Sequence, residues 1–124
     1  MSTASVVVLG ATAVFFAAMG LRALTAPSAM LNPFGIVLGQ AASRAEVRAV
    51  YGGFGLAMAA VLGYSITAAE QIRAGIVLTV SIALAGMAFG RMYSAVVDHR
   101  TTFYPNWFYC LVELIAAALL WWAR

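Results

Sequence analysis

Two side chains in this sequence stand where hydrocarbon is expected and are also able to do chemistry. Glu113 lies inside an apolar run from Trp107 to Trp122, and Arg91 lies in the preceding apolar run from Ile72 to Val97. A charge at mid-membrane costs about 2.5–3.5 kcal/mol on insertion scales, so each of these residues implies a partner, a pathway or a site. If the third span ends near Val97 and the fourth begins near Trp107, both residues sit six positions deep. At 1.5 Å per residue that is ~9 Å, and antiparallel neighbours bring the two charges level. The guanidinium of Arg91 would then offer bidentate contact to the carboxylate.

Helical spacing adds neighbours. Asn106, Cys110, Glu113 and Ala117 recur at intervals of four, three and four and form one stripe, and Met87, Arg91, Ser94 and Asp98 form another. On the second span Arg44, Arg48, Tyr51 and Gly55 line up, with Glu46 at their flank. All of these enter from one side of the membrane, which predicts a polar vestibule roofed by Asp98-His99-Arg100. Two chemistries suit it. In a proton-transfer reaction on a lipid-like molecule Glu113 is the acid or base, Arg91 tunes it or holds an anionic group, and Asp98 or His99 relays protons at the mouth. In a binding site Arg48, Tyr51, Ser94, Asn106 and Cys110 are the ligand contacts. Against both stands a structural reading, in which the Arg91–Glu113 pair only fixes helix register and Arg48 and Tyr51 anchor a span end.

The elements that must position these residues follow from composition. Of 124 residues, 65% are hydrophobic and 9% charged, and mean hydropathy is +0.97. That is the composition of a membrane protein. Apolar runs occupy Val6–Leu24, Val47–Thr67, Ile72–Val97 and Trp107–Ala123, each near the ~20 residues that a spanning helix needs. The expectation is an all-α polytopic membrane protein, a single four-transmembrane-helix bundle over residues 1–124 with spans at about 6–24, 47–67, 72–97 and 107–123. Ala11-Thr12-Ala13 resembles a signal-peptide cleavage site, but no Lys or Arg precedes the apolar run, so it is read as a retained span. Strand patterns and internal repeats are absent from the sequence.

Charge is sparse and all basic residues are arginine. Arg22, Arg44, Arg48, Arg91 and Arg100 belong to the connections 22–46 and 98–106 or border them, against Arg73 and Arg124 on the other side. The positive-inside rule therefore puts those connections in the cytoplasm. The arginines are scattered singly, which leaves nucleic acid without a basic stripe to bind.

Pro27 and Pro33 interrupt the long first connection and predict a segment lying along the interface around Phe34–Leu38. Ser43 followed by Glu46 predicts a capping box opening the second span. The glycines Gly52, Gly53 and Gly55, with Gly86 and Gly90, predict that the second and third spans pack face to face.

Specific catalytic signals are missing. There is no G-x-S-x-G, H-E-x-x-H, phosphate loop or paired CxxC, so no cofactor is expected. His99 has no second ligand at metal spacing, and Cys110, the lone cysteine, is expected to pack as a small apolar residue.

The segments Glu46-Val47-Arg48-Ala49-Val50-Tyr51-Gly52-Gly53, Gly90-Arg91-Met92-Tyr93-Ser94 with Asp98, and Glu113 resemble a family of small bacterial four-helix integral membrane proteins known as a domain of unknown function, DUF4345. The likeness covers nearly the whole chain and implies the fold and the grouping of these residues, but no reaction. Where that family has an Asp-Gly pair, this chain has Asp98-His99. The chain is also similar in length and helix number to small multidrug transporters, whose essential glutamate lies in the first helix; here the first span has no acidic residue. The sequence thus supports, in order, a lipophilic-ligand binder or accessory subunit of a larger membrane complex or homo-oligomer, a small membrane enzyme, and a proton-coupled transporter.

Overall fold

The structure is a computed structural model describing residues 1–124, and it is all-α, with no strand. Helix α1 runs over Thr3–Thr25, α2 over Pro27–Leu31 and α3 over Ala41–Val47. A π-helical turn, Arg48–Gly53, leads directly from α3 into α4 (Phe54–Thr67). Helix α5 spans Glu70–Val97, a kinked segment with Tyr104 extended (φ −95°, ψ 135°) covers Phe103–Trp107, and α6 spans Phe108–Ala123. Four stretches are long and apolar enough to cross a membrane: Thr3–Thr25, Ala41–Thr67, Glu70–Val97 and Phe103–Ala123. Their outward surfaces expose Val7, Val14, Phe89, Ile115 and Trp122, among others. In water such surface would drive aggregation; against lipid tails it is solvated.

The chain divides into two compact units, Leu9–Thr67 and Met1–Val8 with Ala68–Arg124. In the first, α1 and the α3–α4 stretch approach backbone to backbone. A Cβ placed on Gly20 would meet the Gly52 carbonyl oxygen at 2.8 Å and the Leu56 nitrogen at 2.9 Å, and one on Gly55 would meet the Phe16 carbonyl oxygen at 3.0 Å. Glycine is therefore required at the crossing, because lipid provides no hydrophobic drive and close van der Waals contact must hold the helices. Ala23, Leu31 and Val47 form the buried centre at the end of this unit, with Met30, Phe34, Leu38 and Tyr51 packed around them.

Two sequence expectations change here. Gly86 and Gly90 have nothing within 4 Å of a notional Cβ, so the third span does not use its glycines for close packing; Gly20 of the first span supplies the surface that Gly52 and Gly55 meet. The capping box also fails. Helix α3 begins at Ala41 with Gln40 as its cap residue, which places Ser43 and Glu46 inside the helix, and no side chain caps its amides. Ala41, Ala42 and Ser43 itself carry the helix three residues further back than the Ser-x-x-Glu signal suggests.

The second unit is a hairpin of α5 and α6. Its inward residues are Val77, Val80, Ser81, Leu84 and Ala88 on α5 and Cys110, Glu113, Ala117, Leu120 and Ala123 on α6. Intervals of three and four on both helices make each stripe a single face. The fourth span's polar stripe was legible at Cys110, Glu113 and Ala117, and it continues as an apolar seam to Ala123.

Candidate functional site

Register in the hairpin is fixed by two bonds across it. The Ser81 hydroxyl donates to the Ala117 carbonyl oxygen at 2.7 Å, and the Cys110 thiol donates to the Ala88 carbonyl oxygen at 3.8 Å. Continuing that register sets the Arg91 backbone opposite the start of α6, nearer the 98–102 loop than Glu113 is. The two side chains close the offset because side chains in a helix tilt toward its own N-terminus. In antiparallel helices those tilts converge: Arg91 leans into the hairpin and Glu113 leans toward its mouth.

They meet directly. Arg91 Nε donates to Glu113 Oε1 at 2.6 Å, a short charge-assisted bond. Arg91 Nη1 reaches Asn106 Oδ1 at 3.4 Å, and its guanidinium carbon lies 5.7 Å from the centre of the Tyr109 ring. Exposure is unequal. The Glu113 side chain is 5% exposed and that of Arg91 23%. The carboxylate is therefore sealed between the helices, while the cation forms the outer edge of the cluster.

Other expected site residues fall elsewhere. Cys110 is buried one turn from Glu113 on the same face, and its packing is that of a small core residue. Met87 and Ser94, expected beside Arg91, are exposed. Helix α5 outruns the start of α6 in this register, so past Arg91 no residue of α6 stands opposite it and the inward face ends there. Asp98 and His99 lie exposed beyond the helix end, where Asp98 Oδ1 accepts the His99 backbone amide at 2.7 Å. Arg48 and Tyr51 belong to the other unit. There Arg48 Nε donates to the Leu24 carbonyl oxygen at 3.0 Å at the end of α1, and Tyr51 packs on the Ala23–Leu31–Val47 centre.

The cluster that forms on the hairpin is thus Arg91, Asn106, Glu113 and Tyr109. Tyr109 was not singled out from the sequence, although it sits one position from the stripe that holds Cys110. Ser81 was also missed; its signal is the spacing of three and four that it shares with Val77, Leu84 and Ala88. No group of three or more His, Cys, Asp or Glu side chains comes together in a way that could hold a metal ion. Chemically, the cluster can present a cation and an amide to a polar group arriving from the open edge, with Glu113 fixing the cation behind them.

Neither the curated proteins nor the solved structures provide a significant match to this chain. A family model does match, over residues 5–124, and it is described as a domain of unknown function, DUF4345. The match takes in both hairpin helices, the Arg91–Glu113 pair and the glycine crossing, and it establishes that this membrane-spanning chain belongs to the DUF4345 family.

Proposed function

We propose that this protein is a non-catalytic binding module of the bacterial inner membrane that holds a lipophilic molecule, or a membrane lipid, by its polar head at the Arg91–Asn106 edge. The observation that carries the reading is the asymmetry of the ion pair: a sealed carboxylate bonded to an arginine whose side chain is 23% exposed. A pair that only fixes register needs no open side on either charge, whereas a binding site needs one cation held in place with an open side. Glu113 supplies the holding, and Asn106 and the Tyr109 ring flank the cation. The apolar helix surface below accepts the tail. Proton transfer is less favoured, because Glu113 would first have to leave a 2.6 Å charge-assisted bond.

Native mass spectrometry tests this. The purified wild-type protein should retain one lipophilic mass that Arg91→Gln loses while staying helical. Wild-type protein that flies with no bound species refutes the reading, as does equal retention by the variant.

A further inference from the structure

We propose that the α1–α3 end of the Leu9–Thr67 unit is a site for the phosphate of an anionic phospholipid, formed by Arg44 and Arg48 and seated by the apolar tip Ile36–Val37. It is separate from the Arg91 cluster and does not depend on that reading. Three arginines face one glutamate, Glu46, over residues 22–48, and no carboxylate pairs with any of the three.

Arg48 is held for the task. Its Nε donates to the Leu24 carbonyl oxygen at 3.0 Å, an acceptor that the end of α1 leaves over. With Nε engaged, the two Nη groups form the remaining edge of the guanidinium, and that edge matches two oxygens of a phosphate. The bond also brings Arg48 to the level at which α1 ends. Arg44, one turn before Arg48, is held by Nη1 donating to the Leu38 carbonyl oxygen at 3.3 Å, which leaves its Nε–Nη2 edge to face an anion.

The second observation is the tip next to them. Gly35 turns the chain in the left-handed conformation, φ 72°, after the Asn32–Phe34 helical turn. Ile36 and Val37 then project at 46% and 88% exposure, immediately before Leu38, whose carbonyl orients Arg44. Two large aliphatic side chains this exposed, beside oriented cations at the end of a spanning helix, match the boundary between acyl chains and headgroups. A soluble phosphate would use the arginines and leave the tip in water. A phospholipid uses both.

The test measures the association of spin-labelled phosphatidylglycerol relative to phosphatidylcholine with the full chain in bilayers. Wild type should prefer phosphatidylglycerol, and each arginine removed should cost about fivefold, following about 1 kcal/mol per basic residue near an anionic surface. Arg44→Gln, which spares the Leu24 contact, should therefore lose about fivefold of the preference with helicity unchanged, and the double variant with Arg48→Gln should abolish it. Equal association of the two lipids with wild type, or a preference that survives the double variant, overturns the proposal. Displacement of the labelled lipid by inorganic phosphate alone overturns it too, since the site would then belong to a soluble anion.

Discussion

Replacing Glu113 and Arg91 singly and together isolates the energy of the intramembrane pair. Glu113→Met leaves the Arg91 guanidinium without its 2.6 Å partner. Removing one member of a buried pair typically costs about 3–5 kcal/mol, because the other charge stays desolvated. Arg91 is 23% exposed and stands six residues from the end of α5, so its long side chain relieves part of that cost by turning toward the interface. The expected loss is about 2–3 kcal/mol. Arg91→Met strands the sealed carboxylate, whose shorter side chain has no such escape, and is expected to cost about 3–4 kcal/mol. The double variant removes both desolvation costs and should lie within about 1 kcal/mol of wild type. The assay is reversible unfolding in bicelles, with the coupling read from the cycle of four proteins. Single losses that add within about 0.5 kcal/mol in the double variant would refute the reasoning, since that is how independent sites behave.

Other consequences are local. Gly20→Ala should destabilise by about 1–3 kcal/mol because its Cβ meets backbone atoms at 2.8 and 2.9 Å, while Gly90→Ala, with open space around it, should be neutral or stabilising in the same unfolding assay. Ser81→Ala removes the bond to the Ala117 carbonyl oxygen and should cost about 0.6 kcal/mol, the usual worth of a hydrogen bond between membrane helices. Cys110, at 2% exposure, should resist a membrane-permeant maleimide in the folded protein and react on unfolding, which mass measurement follows directly.

How far the sequence could be read depended on whether a feature was periodic or relational. Four spans were legible because apolar runs of about twenty residues have no other use, and the inward stripe of α6 was legible because Cys110, Glu113 and Ala117 repeat at helical intervals. The pairing of Arg91 with Glu113 followed from depth and charge alone. Its geometry did not: equal depth suggested level residues, but the Ser81 and Cys110 bonds set a register in which converging side chains make the contact. That same register leaves Ser94 and Asp98 beyond the start of α6, so a stripe that is continuous on α5 loses its partner halfway. The glycine crossing was misassigned because a glycine's value lies in what stands opposite, and Gly20 opposite Gly52 is invisible to a pattern read along one strand of sequence. Arg48 and Tyr51 lined up on their own helix, yet their contacts are to Leu24 and to the Ala23–Leu31–Val47 centre, which only the return path of residues 26–40 brings within reach.

The commitment of Glu113 to Arg91 underlies both the proposed binding edge and the predicted coupling. Solid-state magnetic resonance on the full chain in bilayers, with 15N at the arginine Nε positions and 13C at the glutamate carboxyls, measures it directly. Glu113 should show strong dipolar coupling to one arginine Nε, lost in Arg91→Gln, at about 3.5 Å from the 2.6 Å contact plus one carboxyl bond. A Glu113 carboxyl carbon with no coupling to Arg91, in protein that is otherwise helical and folded, would contradict the account.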